Sequence, residues 1–511
     1  MPAPTEQPTF EPSAAPVGTT EPPPFARRPV LTVAGLTALL LMLISGRYGY
    51  LSDELYFLAA GKYHLDWGYM DQQPLVPLLA AGIDAVLPGS LPALRLPAAL
   101  LTAFGIAGTA LLAREFGGDR RAQTLAAAAY ALSPWLLLSG HWLAAATFEP
   151  AQWLLVLWPV TRWVRLREAG IRRDRLLLAA GLVAAVGVQT KFQIVLLCAA
   201  LLSGVLIAGP RPMLRRPALW AGAALAAAVS IPALIWQSGH GWPSRDMGDV
   251  VAAESSRLLL LPTTLLYAGP VAGAFLCCFG LWCLVRDERL RPMRFLACTA
   301  LLLLVFYLLV GGRPNYLSGL CGMLFAAGAV GFQHRREAGA ARWSWTAWPA
   351  YALSAVLPLV LLPITPLPSV ARHPQLAAYS RLYETGWPEL AETVAHVYRS
   401  LPPDQRERTA IVGESYHLAG ALDVLGPELG LPGVHSPHRG YWFFGAPPDS
   451  ATVLLYVGGA EPLKPYFAES RRLATVRTEL DLVNVAQGVS VIRYDGPKLP
   501  WSRLWPRIRT Q

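Results

Sequence analysis

Ser52-Asp53-Glu54-Leu55-Tyr56, followed by Gly68-Tyr69-Met70-Asp71-Gln72-Gln73-Pro74-Leu75, is the stretch that decides how this chain is read. It comes directly after the first long apolar run, so three carboxylates, Asp53, Glu54 and Asp71, share one short loop beside a membrane. Desolvated acids must be paired or pushed off their ordinary pKa, and Ser or Asn would cost less there. That cost points to chemistry at a membrane face.

The composition around the loop supports the membrane reading. The 511 residues are 54% hydrophobic and 15% charged, with a mean hydropathy of +0.38, whereas soluble domains carry about 25% charged residues. Apolar runs of membrane length fall at 30–46, 93–113, 122–139, 145–161, 176–190, 192–209, 218–236, 258–285, 294–311, 315–332 and 344–363. They predict a polytopic α-helical membrane protein with about eleven to thirteen spans. With a cytoplasmic N-terminus, the inner connections carry Arg114/Arg120/Arg121, Arg162/Arg165/Arg167/Arg172/Arg173/Arg175, Arg211/Arg215/Arg216, Arg286/Arg289/Arg291/Arg294 and Arg335/Arg336/Arg342. The outer ones hold only Arg47, Lys62, Lys191, Arg245, Arg257 and Arg313. The positive-inside rule therefore puts the acidic loop outside. The net charge of +10 is spent on topology and calls for no nucleic-acid partner. The six cysteines lie in apolar runs and read as core residues.

Three segments follow. Residues 1–28, rich in Pro, Thr and Glu, read as a disordered cytoplasmic tail. Residues 29–363 form the transmembrane module, with a catalytic outer loop at 47–90 containing short helices. From 364 to 511 the texture changes to an extracytoplasmic α/β domain. There Trp387 opens an amphipathic helix to about Ser400, with Leu390, Val394 and Val397 on one face. Thr409–Val412, Val453–Val457 and Val489–Tyr494 read as strands, with a helix near His417–Leu425.

Asp53 or Glu54 suits a general base that takes a hydroxyl proton; the plainer reading is a helix cap or an ion pair with Arg47 or Lys62. Asp71, followed by Gln72, closes the same loop. Glu149, at the outer start of an apolar run, is a second acid, although a lone acid at a helix start is more often a cap. Lys191, Arg245 and Arg313 form a set of cations on the acidic side, suited to holding a phosphate; Lys191 alone could simply snorkel. His240 and Tyr316 stand in the same short outer connections. No Walker loop, nucleotide-binding glycine motif or Ser/His/Asp elbow is present. No dedicated metal-ligand spacing appears, so no metal ligands are assigned and a divalent cation is optional.

These motifs resemble the GT-C superfamily of polytopic glycosyltransferases, in particular the bacterial branch related to protein O-mannosyltransferases and the lipid A aminoarabinose transferase. Asp53-Glu54-Leu55-Tyr56 with Gly68-Tyr69-Met70-Asp71-Gln72-Gln73-Pro74-Leu75 is similar to the family's Asp-Glu … Gly-Tyr-x-Asp-x-Pro-Pro-Leu. The likeness runs on through Gly140-His141 to Glu149, Lys191-Phe192, His240-Gly241-Trp242-Pro243 and Arg313-Pro314-Asn315-Tyr316, covering most of 30–335. It implies that a sugar moves from a polyprenyl-phosphate donor, outside the cell membrane, to a cell-envelope glycan, lipid or protein hydroxyl, with inversion. It also implies that Asp53 is the catalytic carboxylate and Glu149 a second acid. Lys191 and Arg245 would face the donor phosphate, and His240 and Tyr316 would line the cavity. Gln72 departs from the Lys or His often found there, and Gln73 replaces the first Pro. Two other classes stay open: a transporter or flippase of a lipid-linked or small polar substrate, and a non-catalytic glycan-binding assembly protein. Transporters gather ionisable groups near the midplane, whereas these gather at one outer rim.

Overall fold

Helix α1 (Arg27–Ile44) begins inside the segment expected to be tail, because its apolar residues Val30, Ala34 and Leu41 are buried against neighbouring helices. The structure, a computed structural model, describes residues 22–459 and 461–511; the expected tail at 1–21 lies outside the described residues. The acidic loop folds into α2 (Ser52–Tyr63) and α3 (Leu75–Val86). The helical module continues with α4 (Leu91–Glu115), α5 (Arg120–Ala131), α6 (Pro134–Ser139), α7 (Ala145–Glu168), α8 (Arg175–Gly187) and α9 (Gln193–Ala208). Then come α10 (Pro217–Gly239), α11 (Pro243–Glu254), α12 (Arg257–Ala268), α13 (Ala272–Arg286), α14 (Arg294–Val310), α15 (Cys321–Glu337) and α16 (Ala347–Leu361).

Two runs that read as single helices are broken. The 122–139 run stops at Leu132 and restarts at Pro134, whose ring suits a first helical turn and cannot continue the previous one. The 258–285 run bends by 110° between α12 and α13, where Gly269 takes a φ of +133° that a side chain would resist. By length and composition, five helices among the described residues could cross a membrane, or six with that bent pair. This is fewer than the eleven to thirteen expected, because several apolar runs form helices of only 10–17 residues. The expected outer loop after α10 is itself a helix, α11.

The Arg-rich connections meet at one end of the module. Glu115 pairs with Arg165 at 2.5 Å, Asp174 with Arg216 at 3.6 Å, and Asp287 with His334 at 2.6 Å, while Arg336 donates to Asp119. The acidic loop lies among different partners: Gln73 N–H donates to the Thr190 carbonyl (3.2 Å) and Leu75 N–H to that of Gln189 (2.9 Å). The loop is thereby laid along the α8–α9 connection.

Beyond α16 come α17 (Leu367–Arg372), α18 (Ala378–Glu384), α19 (Trp387–Ser400) and α20 (Pro403–Arg406), then β1 (Thr409–Gly413), α21 (Tyr416–Leu425), β2 (Val434–His435), β3 (Val453–Gly458), β4 (Phe467–Thr475) and β5 (Ser490–Pro497). The sheet order is β2-β1-β3-β5-β4, with β1 parallel to β2 and β3, and β5 antiparallel to β3 and β4. The central strands β1 and β3 are buried throughout, which is why they read as unbroken apolar runs. β2 and β4 are not legible in the sequence. β2 has two residues, and β4 is an exposed edge carrying Arg471 and Arg472, so neither shows a period. One face of the sheet packs on Trp501, Leu504 and Trp505. The other shares a core with the acidic loop: Leu390, Val394, Leu418 and Leu422 pack with Leu55, Tyr56, Val76 and Phe148.

Candidate active site

The first turn of α2 sends its two acids to different tasks. Glu54 reaches back to the Leu51 N–H (2.8 Å), satisfying an orphan donor at the helix start. It also accepts from the Arg95 guanidinium (2.8 and 3.0 Å) and the Leu143 N–H (3.0 Å). Arg95, itself buried, donates on to the Ser45 and Gly49 carbonyls and lies 3.4 Å from Glu384. Glu384 also accepts from the Trp142 indole (2.8 Å). Burial works against the Glu384 charge, but His141 and Arg95 outweigh it and hold the carboxyl below its ordinary value. Expected as a catalytic candidate, Glu54 has both oxygens engaged by this network. Nor do Arg47 or Lys62 pair with the two acids: Arg47 donates to the Ile364 carbonyl, and Lys62 binds Asp84 at 2.8 Å.

Asp53 is half-buried and meets no cation directly among the described residues. Its Oδ1 accepts from the Tyr416 hydroxyl at 3.1 Å, and Asp71 accepts likewise from the Tyr56 hydroxyl at 3.1 Å. Burial raises the Asp53 pKa, opposed by the Tyr416 hydrogen bond and by the fields of Arg313, Lys191 and Arg439. Asp71 is raised by burial and then by repulsion from Asp53. Above the pair lies Gly440, where a Cβ would come within 2.2 Å of the Tyr56 hydroxyl; only glycine allows that approach.

From Asp71 a cavity of 1010 Å³ extends into the helices. Its polar mouth is formed by Asp71, Gln72, Lys191 and Tyr316, and its depth by apolar residues of α8, α9, α10 and α14, such as Ala184, Leu201, Ala226 and Phe306. The Lys191 ammonium lies 4.7 Å from the Tyr316 ring centroid and has no ion-pair partner among the described residues. Burial opposes its charge, but Tyr316 and Glu149 outweigh that and hold it above its ordinary value. Both polar atoms of the buried Gln72 amide lack a partner among the described residues, as does the Tyr307 hydroxyl farther in. Such orphans mark a place for a polar ligand or water.

Glu149 lies behind this mouth rather than in it, its carboxylate facing the Gln193 amide when the NH₂ is turned toward it. Arg313 is half-exposed and pairs with Glu254 at 2.6 Å; Arg439 of the sheet domain grips the same carboxylate. His240, expected to line the cavity, stacks instead on Trp236 at 4.2 Å. Arg245, expected to face a phosphate, is exposed on the first turn of α11, whose Ser244, Met247 and Gly248 contribute to the cavity wall in its stead. Helical periodicity separates Arg245 from Ser244, because the motif becomes a helix with two faces from Pro243 on, while His240 caps the end of α10. No three His, Cys, Asp or Glu side chains converge on a metal site among the described residues.

The Dolichyl-phosphate-mannose-protein mannosyltransferase family model matches residues 71–236, from Asp71 through Glu149 and Lys191. Among solved structures, apo ArnT from Cupriavidus metallidurans is similar over 91% of this chain and 97% of its own, with a TM-score of 0.59 at 16% identity. At that identity the likeness shows a shared fold. The same ArnT bound to undecaprenyl phosphate is similar with a TM-score of 0.54, at the same identity and coverage. The arabinofuranosyltransferase AftD from Mycobacteria is similar with a TM-score of 0.51 at 16% identity, over 93% of this chain and 42% of its own. No curated protein sequence matches significantly.

Sequence reading missed four groups that meet at the site. Tyr56 was within reach, three residues after Asp53 in the same motif. Tyr416, Arg439 and Gly440 carry no local signal: Tyr416 is 363 residues from the acid it contacts.

Proposed function

We propose that the protein transfers a sugar from a polyprenyl-phosphate donor to an acceptor hydroxyl of the cell envelope, on the extracytoplasmic side. The observation that carries this reading is the cavity, with an ammonium and an unpartnered amide at an acid-lined mouth and an apolar interior between helices. That is the chemistry of an amphiphile with a phosphate at one end of a hydrocarbon chain. ArnT, similar in fold, has been solved with undecaprenyl phosphate. With the Arg-rich end cytoplasmic by the positive-inside rule, the mouth and the sheet domain both face outward.

Asp53 is the proposed base. Its Oδ2 accepts no hydrogen bond from the described residues, and it takes the acceptor's hydroxyl proton as that oxygen attacks the anomeric carbon. The bond from the anomeric carbon to the phosphate oxygen breaks, and polyprenyl phosphate leaves with the electron pair, inverting the centre. Lys191, with Gln72 and Tyr316 beside it, meets the charge on the departing phosphate. Asp71 contacts the donor. Glu149 supports Lys191 from behind, and Arg313 acts through its field.

The test is mass comparison of lipid extracts from wild-type and knockout cells, followed by transfer with purified protein. Accumulation of a polyprenyl-phosphate sugar in the knockout, and its consumption by the protein with a new glycosidic product, is the expected result. Movement of the lipid across a bilayer with no glycosidic product would overturn it.

A further inference from the structure

We infer that the outer sheet domain supplies part of the catalytic machinery: Tyr416 is a positioning residue that fixes the Asp53 carboxylate for proton transfer. This rests on the base role proposed for Asp53. The hydroxyl is 3.1 Å from Oδ1, and the ring that carries it is held on several sides. Tyr56 packs at 5.3 Å, His417 at 3.9 Å, His438 nearly parallel at 5.6 Å, and the Arg439 guanidinium at 5.8 Å. Tyr416 opens α21, whose Ser415 cap accepts from the Leu418 N–H, and Leu418 and Leu422 are buried in the core shared with Leu55 and Tyr56. The hydroxyl is therefore located by close-packed side chains rather than by a loop, the condition for holding a reacting group in place.

The arrangement is paired. Tyr56, from the helical module, donates to Asp71, and Tyr416, from the sheet domain, donates to Asp53, with the two rings in contact. A phenol gives the carboxylate one strong hydrogen bond without neutralising it, occupies Oδ1 and leaves Oδ2 for the acceptor. A hydrogen bond to the charged form also favours that form, offsetting part of the burial that raises Asp53. The other groups facing Asp53 are Asp71, Lys191, Arg313, Arg439 and Tyr379. His417 and His438 near the ring are pushed down to about 4 by burial and then by Arg439, and stay neutral at working pH.

The experiment uses the full chain in nanodiscs, with Tyr416→Phe, which keeps the ring and removes the hydroxyl. Infrared titration of the carboxyl band that is lost in Asp53→Asn reads the Asp53 pKa directly. Tyr416→Phe is expected to move it up by about one pH unit, the worth of a hydrogen bond to a charged group. With lipid extract from knockout cells as the donor source, kcat at neutral pH falls on the order of tenfold while donor KM stays within about twofold. The acid limb of the rate profile follows the infrared shift upward. A ring-fluorinated tyrosine at 416, a stronger donor of the same shape, moves both downward, which covers the case of a Phe variant that does not fold. An Asp53 titration unmoved by either change, or a faster Tyr416→Phe enzyme, overturns the inference. Absence of transfer by the wild type overturns the proposed reaction instead, and the infrared result stands apart from it.

Discussion

The two ends of the helical module handle acidic side chains in opposite ways. At the Arg-rich end, Glu115, Asp119, Asp174 and Asp287 each have an arginine or histidine against them, and they tie one helix connection to the next. At the other end, Asp53 and Asp71 are held by phenols, and the nearest lysine rests over a ring rather than on a carboxylate. Even there, the acids that serve architecture are paired: Glu54 and Glu384 share Arg95, and Glu254 lies between Arg313 and Arg439. A buried charge that only holds structure together needs a counter-charge. One left with neutral donors keeps a raised pKa and a free oxygen, which marks it for chemistry.

The largest effect is expected from Asp53→Asn. Turnover should fall by roughly 10²–10⁴-fold if general-base catalysis is lost, measured as sugar transfer by purified protein. Near-normal turnover would move the role to Asp71. Next comes Arg95→Met, which strands two buried carboxylates and should cost about 3–5 kcal/mol of stability, seen as lost folded protein in a thermal melt. A mild effect would mean that Glu54 is less committed to structure than its contacts imply. Lys191→Met should then raise donor KM by roughly ten- to a hundredfold with little change in melting temperature.

Asp71→Asn tests the sign of the electrostatics. Its folded pKa lies above the ordinary carboxylate value because of burial and Asp53, so the folded chain binds more protons than the unfolded one. Stability from this group therefore falls as pH rises through the window between the unfolded and folded values. At neutral pH the variant should melt on the order of 1–2 °C higher, and the difference should vanish at acid pH. Smallest of all, Arg245→Ala should leave donor KM within about twofold and stability within about 0.5 kcal/mol; a large rise in KM would return this exposed arginine to the donor site.

Much of the architecture is set by local sequence. Long apolar runs separated by arginine clusters dictate a helical membrane module, because lipid tolerates little else. The loop from Asp53 to Pro74 announces its acids by their cost, and β1 and β3 show themselves as buried runs. Its limits are equally physical. Period and hydropathy are local, so they could not say that a run would bend by 110° at Gly269 or that two strands would form without a pattern. They could not tell apart adjacent acids on one helical turn, where a rotation of about 100° sends Glu54 to Arg95 and Asp53 to Tyr416. Nor could they separate Arg245 from Ser244 on α11, or bring Tyr416 and Gly440 over the acidic loop. Those were decided by the core that α2 and α21 share, since burying that apolar surface is what holds the distant chain segments at hydrogen-bonding range.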